Sequence, residues 1–413
     1  MFVIARPSMR LSGTIVGSVR DAAWLTLERI RVYRLIVLLA GLLSAGVWLA
    51  CSHGGMDPAG KAIGTDFLAF WSASTLALSG DPAAAYDLTR LHAVERAAMV
   101  SDPGLSSFLY PPPFLLLCLP LALAPYFVSL ALWLAATGGA WLAMARKWAQ
   151  AGGVSTIAIL AFPAVLSNLG HGQNGFLTGA LFGSGLMLID RRPWLAGMVL
   201  GLLVVKPQIG FALPFLVLAG RHWRTFFGAA TSALLLSFLS LLVLGAGAWT
   251  GFLGGSGTGR AIMEAGLVEP GKMVSVFAAV RVLHGGVVWA YAVQLAVALA
   301  AAVLLTMVCR RGAPVRAQAA LCVTASLLMT PFLFDYDLPV LIVPLAWLYG
   351  ESRRRGFLPW EKAILAVAYL LPLYARTTAL GLGVPTAPIV IILLMGAVAR
   401  ATLHARDEAP STR

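Results

Sequence analysis

A few polar residues interrupt a chain that is otherwise apolar, and their types suit chemistry on hydroxyls and phosphates. Asp66 stands in the longest water-compatible stretch. A carboxylate there can act as general base and take a proton from an acceptor hydroxyl. It reads equally as an acid at a helix N-terminus, stabilised by the helix dipole. Lys206 is one of five lysines and breaks the run from Leu202 to Phe211. An ionisable residue in an apolar segment is a functional candidate, and an ammonium can hold phosphate as a point charge. The alternative is a lysine snorkelling at a tight hairpin.

His171, Gln173 and Asn174 form a third group, flanked by Gly170, Gly172 and Gly175. The glycines let a ligand approach the backbone, and the side chains can bind sugar hydroxyls or phosphate oxygens. A polar turn between two helices accounts for the same pattern. Asp335 and Asp337 flank Tyr336. They suit a paired-carboxylate or cation site, or Asp337 caps the next helix; a supporting role is expected. Asp81 precedes Pro82, which reads first as a helix start. Arg260, Glu264, Glu269 and Lys272 lie in a Gly-rich stretch, 247–274, expected to be a loop that contacts an acceptor. No histidine pair has metal-ligand spacing, so no metal site is expected.

Several motifs are missing. There is no GxxxxGK[ST] loop, no GxGxxG after a strand, no GxSxG elbow and no HExxH. A nucleotide-bound donor on a Rossmann domain is therefore not expected. A lipid-linked donor, reaching the site through the bilayer, is the chemically sensible source for any sugar transferred outside the cytoplasm.

The elements that must carry these residues are membrane helices. Of 413 residues, 59% are hydrophobic and 11% are charged; soluble domains are about 25% charged. Apolar runs recur from residue 33 to residue 400 without the alternation of barrel strands. The net charge of +13 comes from short basic clusters between those runs, with no nucleic-acid-binding motif. The four cysteines, Cys51, Cys118, Cys309 and Cys322, lie far apart in apolar segments and read as small core residues.

The basic clusters are expected in the cytoplasm. Residues 1–32, with Arg6, Arg10, Arg20, Arg29 and Arg31, are then inside, and 33–51 is a first span rather than an export signal. Residues 52–107 form the first external loop, with six of the 17 acidic residues. In that loop Phe67, Phe70, Trp71 and Ser74 share one helix face, expected to lie in the membrane interface. Gly80 ends this helix, and a second runs from Pro82 to about Val100. Later spans pair off as 153–169 with 174–190, 193–205 with 207–219, 226–246 with 286–308, 315–333 with 338–350, and 359–375 with 385–400. Each polar tip then falls outside, and 402–413 is a cytoplasmic tail. Residues 108–124 and 126–145 leave the parity open. Two crossings there would put Arg146 and Lys147 outside, unless one segment is re-entrant. About 12 spans in a single membrane domain, 1–413, are expected, with 11 or 13 as alternatives.

Gly64-Thr65-Asp66-Phe67, Phe70-Trp71-Ser72-Ala73-Ser74 and Gly80-Asp81-Pro82 through Tyr86 resemble the first loop of glycosyltransferase family 87. Tyr110-Pro111-Pro112, Gly172-Gln173-Asn174 and Lys206-Pro207-Gln208 follow in the family's order. The resemblance spans most of 60–225; beyond, it is mainly hydropathy. It implies an all-α, polytopic GT-C-like enzyme in a bacterial inner membrane with its active site facing the periplasm. The implied reaction is inverting transfer of a hexose, mannose first, from a polyprenyl-phosphate sugar to a lipid or glycan acceptor. The lipid-linked donor is a co-substrate and no cofactor is implied. By this resemblance Asp66 is the catalytic base. Lys206, His171, Gln173, Asn174 and Gln208 bind the donor phosphate and sugar, and Tyr110, Asp81, Asp335 and Asp337 support the substrates. Membrane lipids are partners and nucleic acid is not. The rival class is a transporter or lipid-linked-sugar flippase, which would place its polar residues near the membrane midplane.

Overall fold

The structure is a computed structural model and describes residues 16–150 and 152–407, with the side chains of 405–407 excepted. The arginines expected inside at positions 6 and 10, the side chain of Arg406 and the tail from 408 on fall outside that description. Among the described residues the secondary structure is helical, with three isolated β-bridges and no strand.

In chain order the α-helices are α1 (Leu27–Ala50), α2 (Thr65–Leu78), α3 (Leu88–Ala98), α4 (Pro112–Cys118), α5 (Tyr126–Gln150), α6 (Thr156–Leu160), α7 (Ala164–His171), α8 (Gly175–Leu188) and α9 (Pro193–Gly201). They continue as α10 (Leu213–Ala219), α11 (Trp223–Glu264), α12 (Val276–Val282), α13 (Val287–Arg310), α14 (Val315–Met329), α15 (Ile342–Arg355), α16 (Glu361–Leu382) and α17 (Thr386–Asp407). Six of them (α1, α5, α11, α13, α16 and α17) are long and apolar enough to cross a bilayer.

Side-chain contacts sort the helix ends into two groups. At one end Arg34 donates to Ser155 at 2.5 Å, Arg316 lies over Trp148, and Arg400 donates to the carbonyl of Pro359 at 2.6 Å. At that end, too, Glu361 is buried against Arg355 and Ser352. At the other end Gly64 N–H donates to Gly170 at 3.2 Å, and Lys206 meets Asn174 and Asp337. Between these ends run the six long helices and six shorter passes: α6–α7, α8, α9 with its 3-10 extension, the 3-10 turn 207–210 with α10, α14, and the 3-10 turn 335–341 with α15. Among the described residues the chain thus passes from end to end twelve times. The basic end is that of the arginine clusters.

The ambiguous stretch 108–124 does not cross. It is the one-turn-plus helix α4 followed by a 3-10 turn, Leu119–Leu123. Both limbs stay beside α2: the Tyr110 ring packs 5.3 Å from that of Phe70, Ser74 donates to Leu119 at 2.8 Å, and Trp71 donates to Ala124 at 3.1 Å. Pro112, Pro113 and Pro120 explain why no continuous helix forms. Only α5 crosses here, so Arg146 and Lys147 join the other cations at the basic end.

The first inter-span region differs from its expected form in three ways. Helix α2 is not an amphipathic surface helix, because Phe67, Leu68, Phe70, Ala73, Leu76 and Ala77 are all buried. Phe67 and Phe70 are core, with Phe70 meeting Phe114 at 4.9 Å edge-to-face and Trp133 at 6.1 Å, while Trp71 is half-buried. The segment after Pro82 is a 3-10 turn to Tyr86, and the following helix is capped by Asp87, which accepts from the N–H groups of Thr89 and Arg90. Helix α3 is the amphipathic one, burying Leu91 and Glu95 and exposing Arg90 and Arg96. Cys51 departs from the expected core role: it is exposed, while the other three cysteines are buried.

The stretch 247–274 is not a loop as far as Glu264. It continues α11 beyond a kink at Gly245 (φ 77°, ψ 167°), a conformation open to glycine. This outer half of α11 packs on the first inter-span region, where a Cβ on Gly251 would lie 3.2 Å from Tyr86 and one on Gly259 would lie 2.8 Å from Leu109. Arg260 and Glu264 pair with each other at 2.7 Å on this helix.

Candidate active site

Three polar turns meet at the end opposite the arginines, and each turn has a local cause. Gly172 closes α7 in the left-handed region (φ 62°), and a Cβ there would sit 2.6 Å from that of Phe67. That close approach sets the 170–174 turn against the N-terminus of α2. Gly64, also left-handed (φ 75°), precedes α2, and the Tyr126 hydroxyl donates to its carbonyl at 3.0 Å. Pro207 ends the extension of α9 at Lys206. Gly175 lets Tyr336 come close, since a Cβ would lie 2.0 Å from the Tyr336 carbonyl oxygen.

The front of the site is Asp66 with His171. The His171 Nδ1 atom lies 2.8 Å from Thr65 Oγ1 and 3.7 Å from Asp66 Oδ2. Both side chains remain about a third exposed, 33% for Asp66 and 29% for His171. Burial holds the Asp66 carboxyl above the usual aspartate range, although His171 and a hydrogen bond from Gln173 pull the other way. A carboxylate tuned upward in this way is a better proton acceptor.

The back of the site is buried. Lys206, 3% exposed, contacts the Asp337 carboxylate and donates to Asn174 Oδ1 at 3.0 Å. Its ammonium faces the ring of Tyr336 at 5.1 Å and that of Tyr110 at 5.8 Å. Gln173 joins back to front: its Oε1 accepts from the Tyr110 hydroxyl at 2.9 Å and from Asn174 N–H at 2.7 Å. Burial keeps the Tyr110 hydroxyl protonated well beyond its ordinary range, so it stays a donor. Asn174 Nδ2 is buried in this cluster, beside the Tyr110 hydroxyl.

Asp66, His171, Gln173, Asn174, Lys206, Tyr110 and Asp337 therefore form one connected set. Asp335 joins it at the edge, 3.6 Å from Arg376 of α16. Two expected members do not. Asp81 lies beyond the far end of α2 from Asp66 and is ion-paired with Arg90, which holds its carboxyl below the usual range. Gln208 contributes its backbone carbonyl, which accepts from Thr330 at 2.8 Å.

The sequence reasoning missed Thr65, Tyr336 and Arg376. Tyr336 was visible as the residue between two aspartates, and Arg376 as a lone cation in an apolar run. Thr65 stood only as part of the Gly64-Thr65-Asp66-Phe67 stretch, with no role of its own. A further support lies in the first inter-span region. Buried Glu95 accepts from Ser106 N–H at 3.2 Å, and the Ser106 hydroxyl donates to the Thr65 carbonyl at 3.2 Å.

A family comparison bears on what this set does. The model of glycosyltransferase family 87 matches residues 108–331, just over half of the chain. The chain belongs to glycosyltransferase family 87. It is a membrane glycosyltransferase. The matched stretch includes Tyr110, His171, Gln173, Asn174 and Lys206 and runs past residue 225; it starts after Asp66 and stops before Asp335. The structure, rather than the match, brings Asp66 and Asp337 to residues of the matched stretch. No curated protein and no solved structure matches the chain.

Proposed function

We propose that the protein transfers a hexose, mannose first, from a polyprenyl-phosphate sugar to a hydroxyl of a lipid or glycan acceptor, with inversion and with Asp66 as general base. The observation that carries this reading is the position of Asp66. It is the accessible carboxylate at the front of a polar set whose cation and amides lie buried behind it. An acceptor hydroxyl gives its proton to an Asp66 oxygen as its own oxygen bonds to the anomeric carbon. The bond from that carbon to the phosphate oxygen breaks, and the polyprenyl phosphate leaves with the electron pair.

The leaving phosphate needs donors and positive charge. His171 is the accessible group beside Asp66, and the buried Asn174 Nδ2 adds a donor. Lys206 acts from behind: its charge is already shared with Asp337, so it orients Asn174 and biases the site electrostatically. The lipid-linked donor is a co-substrate, and no metal or cofactor enters the scheme. By the positive-inside rule the arginine end is cytoplasmic, so the site faces the periplasmic side of a bacterial inner membrane.

The test is Asp66→Asn in purified protein supplied with lipid-linked hexoses. Transfer is expected to fall about a hundred- to ten-thousandfold while donor binding persists, since general-base catalysis contributes about 10²–10⁴. Near-normal turnover would sink the assignment.

A further inference from the structure

The end of the molecule opposite Asp66 holds a polar recess of about 540 Å³. The last turn of α5 and the turn after it supply Trp148, Gly152 and Gly153; the start of α14 supplies Arg316; and α15 supplies Gly350 and Arg353. Its floor is backbone. A Cβ on Gly152 would stand 2.8 Å from the Gly350 Cα atom, so two main chains touch there, and a Cβ on Gly153 would stand 3.4 Å from the Arg353 guanidinium. Arg316 lies 5.9 Å over the Trp148 ring, and Arg353 lies 5.9 Å over the Tyr349 ring. Among the described residues neither guanidinium has a carboxylate partner. The one carboxylate that lines the recess, Glu351, is engaged by Arg354 at 2.6 Å.

Two exposed guanidiniums, each within 6 Å of an aromatic ring and set over a main-chain floor, make an anion site. Each keeps its planar fork of donors for an oxyanion. The recess opens at the ends of three membrane helices, with tryptophans at its wall. That is the depth of lipid headgroups. We infer that this recess binds the phosphate-bearing headgroup of an anionic phospholipid. The proposal is independent of the transferase site, because none of its residues belongs to that site. A soluble phosphate carries the same chemistry, so the experiment has to separate the two sources.

Purified full-length protein in detergent is titrated with phosphatidylglycerol, with phosphatidylethanolamine and with inorganic phosphate. Native mass spectrometry reads the bound lipid, and the melting temperature reads the linked stabilisation. Wild-type protein is expected to retain phosphatidylglycerol in preference to phosphatidylethanolamine. In Arg316→Gln/Arg353→Gln that affinity falls about tenfold or more. A control, Arg310→Gln/Arg311→Gln, removes two exposed cations of the same end that do not line the recess and is expected to bind like wild type. Equal binding by the Arg316/Arg353 variant and wild type overturns the proposal, as does an equal loss in the control, which marks diffuse charge attraction. Displacement of phosphatidylglycerol by millimolar inorganic phosphate overturns the lipid assignment in favour of a soluble phosphate. Should the double variant fail to give a melting transition, each single variant is expected to show a smaller loss of the same sign, and unchanged binding in both overturns the proposal.

Discussion

At the residue scale the site separates into an accessible carboxylate and a buried ion pair, and the two are expected to respond to mutation differently. Burial raises the Asp66 carboxyl, so the folded chain holds that proton to higher pH than the unfolded chain does. Stability from this group is present at low pH and is lost as pH rises through the folded value. At neutral pH the ionised Asp66 is therefore a cost to the fold. Asp66→Asn is expected to melt no lower than wild type at pH 7 while its activity is gone; a clear drop in melting temperature would contradict the burial argument. For the same reason the acid limb of kcat/KM is expected to have its midpoint above about 4, the ordinary aspartate value. Activity falls as pH drops through it, and a midpoint at or below that value would show that Asp66 is not the titrating base. Lys206 behaves as a structural cation. Lys206→Met leaves Asp337 buried and uncompensated, at a cost of about 3–5 kcal/mol, whereas Lys206→Met with Asp337→Leu should recover much of it. Chemical denaturation of the two variants decides this. A single variant as stable as wild type would show that the pair does not hold the fold.

At the scale of elements, the site depends on how closely turns approach, and this is where the sequence was least legible. The glycines around His171 were readable as room for a ligand. In the structure Gly172 and Gly175 instead make room for other parts of the chain, Phe67 and the Tyr336 carbonyl. Spacing along one chain cannot show that, because the partner lies more than a hundred residues away in each case. Helix α2 was misjudged for a related reason: a face of Phe67, Phe70 and Trp71 suits an interface, and only packing against Phe114 and Trp133 shows Phe67 and Phe70 to be core. The continuation of α11 past Gly245 was hidden by its glycines, which read as loop. Gly175→Ala tests the close-approach argument. Its Cβ would meet the Tyr336 carbonyl at 2.0 Å and Asn168 Nδ2, which donates to that carbonyl, at 2.4 Å. The 335–341 turn must then shift and take Asp337 with it, so activity should fall more than about tenfold with about 1–3 kcal/mol lost from stability. Gly170→Ala is the comparison, since nothing lies within 4 Å of a Cβ there. Equal effects of the two substitutions in a transfer assay would refute the argument.

At the scale of the whole molecule, the legible part was the alternation of arginine clusters and polar turns, and it places Asp66 and Lys206 at the same end without any contact information. The pairs that close each end, such as Arg400 with Pro359 and Gly64 with Gly170, follow from that alternation. What it could not decide was the parity at Pro125, because hydropathy does not distinguish α4 and its 3-10 turn from a short span. With that segment folded against α2, an even number of passes among the described residues puts the start of α1 and the end of α17 at the arginine end. The orientation then has a direct test in the unaltered protein. Cys51, just past the outer end of α1, is exposed, whereas Cys118, Cys309 and Cys322 are buried. A membrane-impermeant maleimide is expected to label right-side-out vesicles at Cys51 and to leave inside-out vesicles unlabelled, with Cys51→Ser abolishing the signal. Labelling from the inside alone would turn the molecule over. Asp66 would then face the cytoplasm, where nucleotide sugars are at hand, and the case for a lipid-linked donor would lose its premise, since that case rests on a site that nucleotide sugars cannot reach.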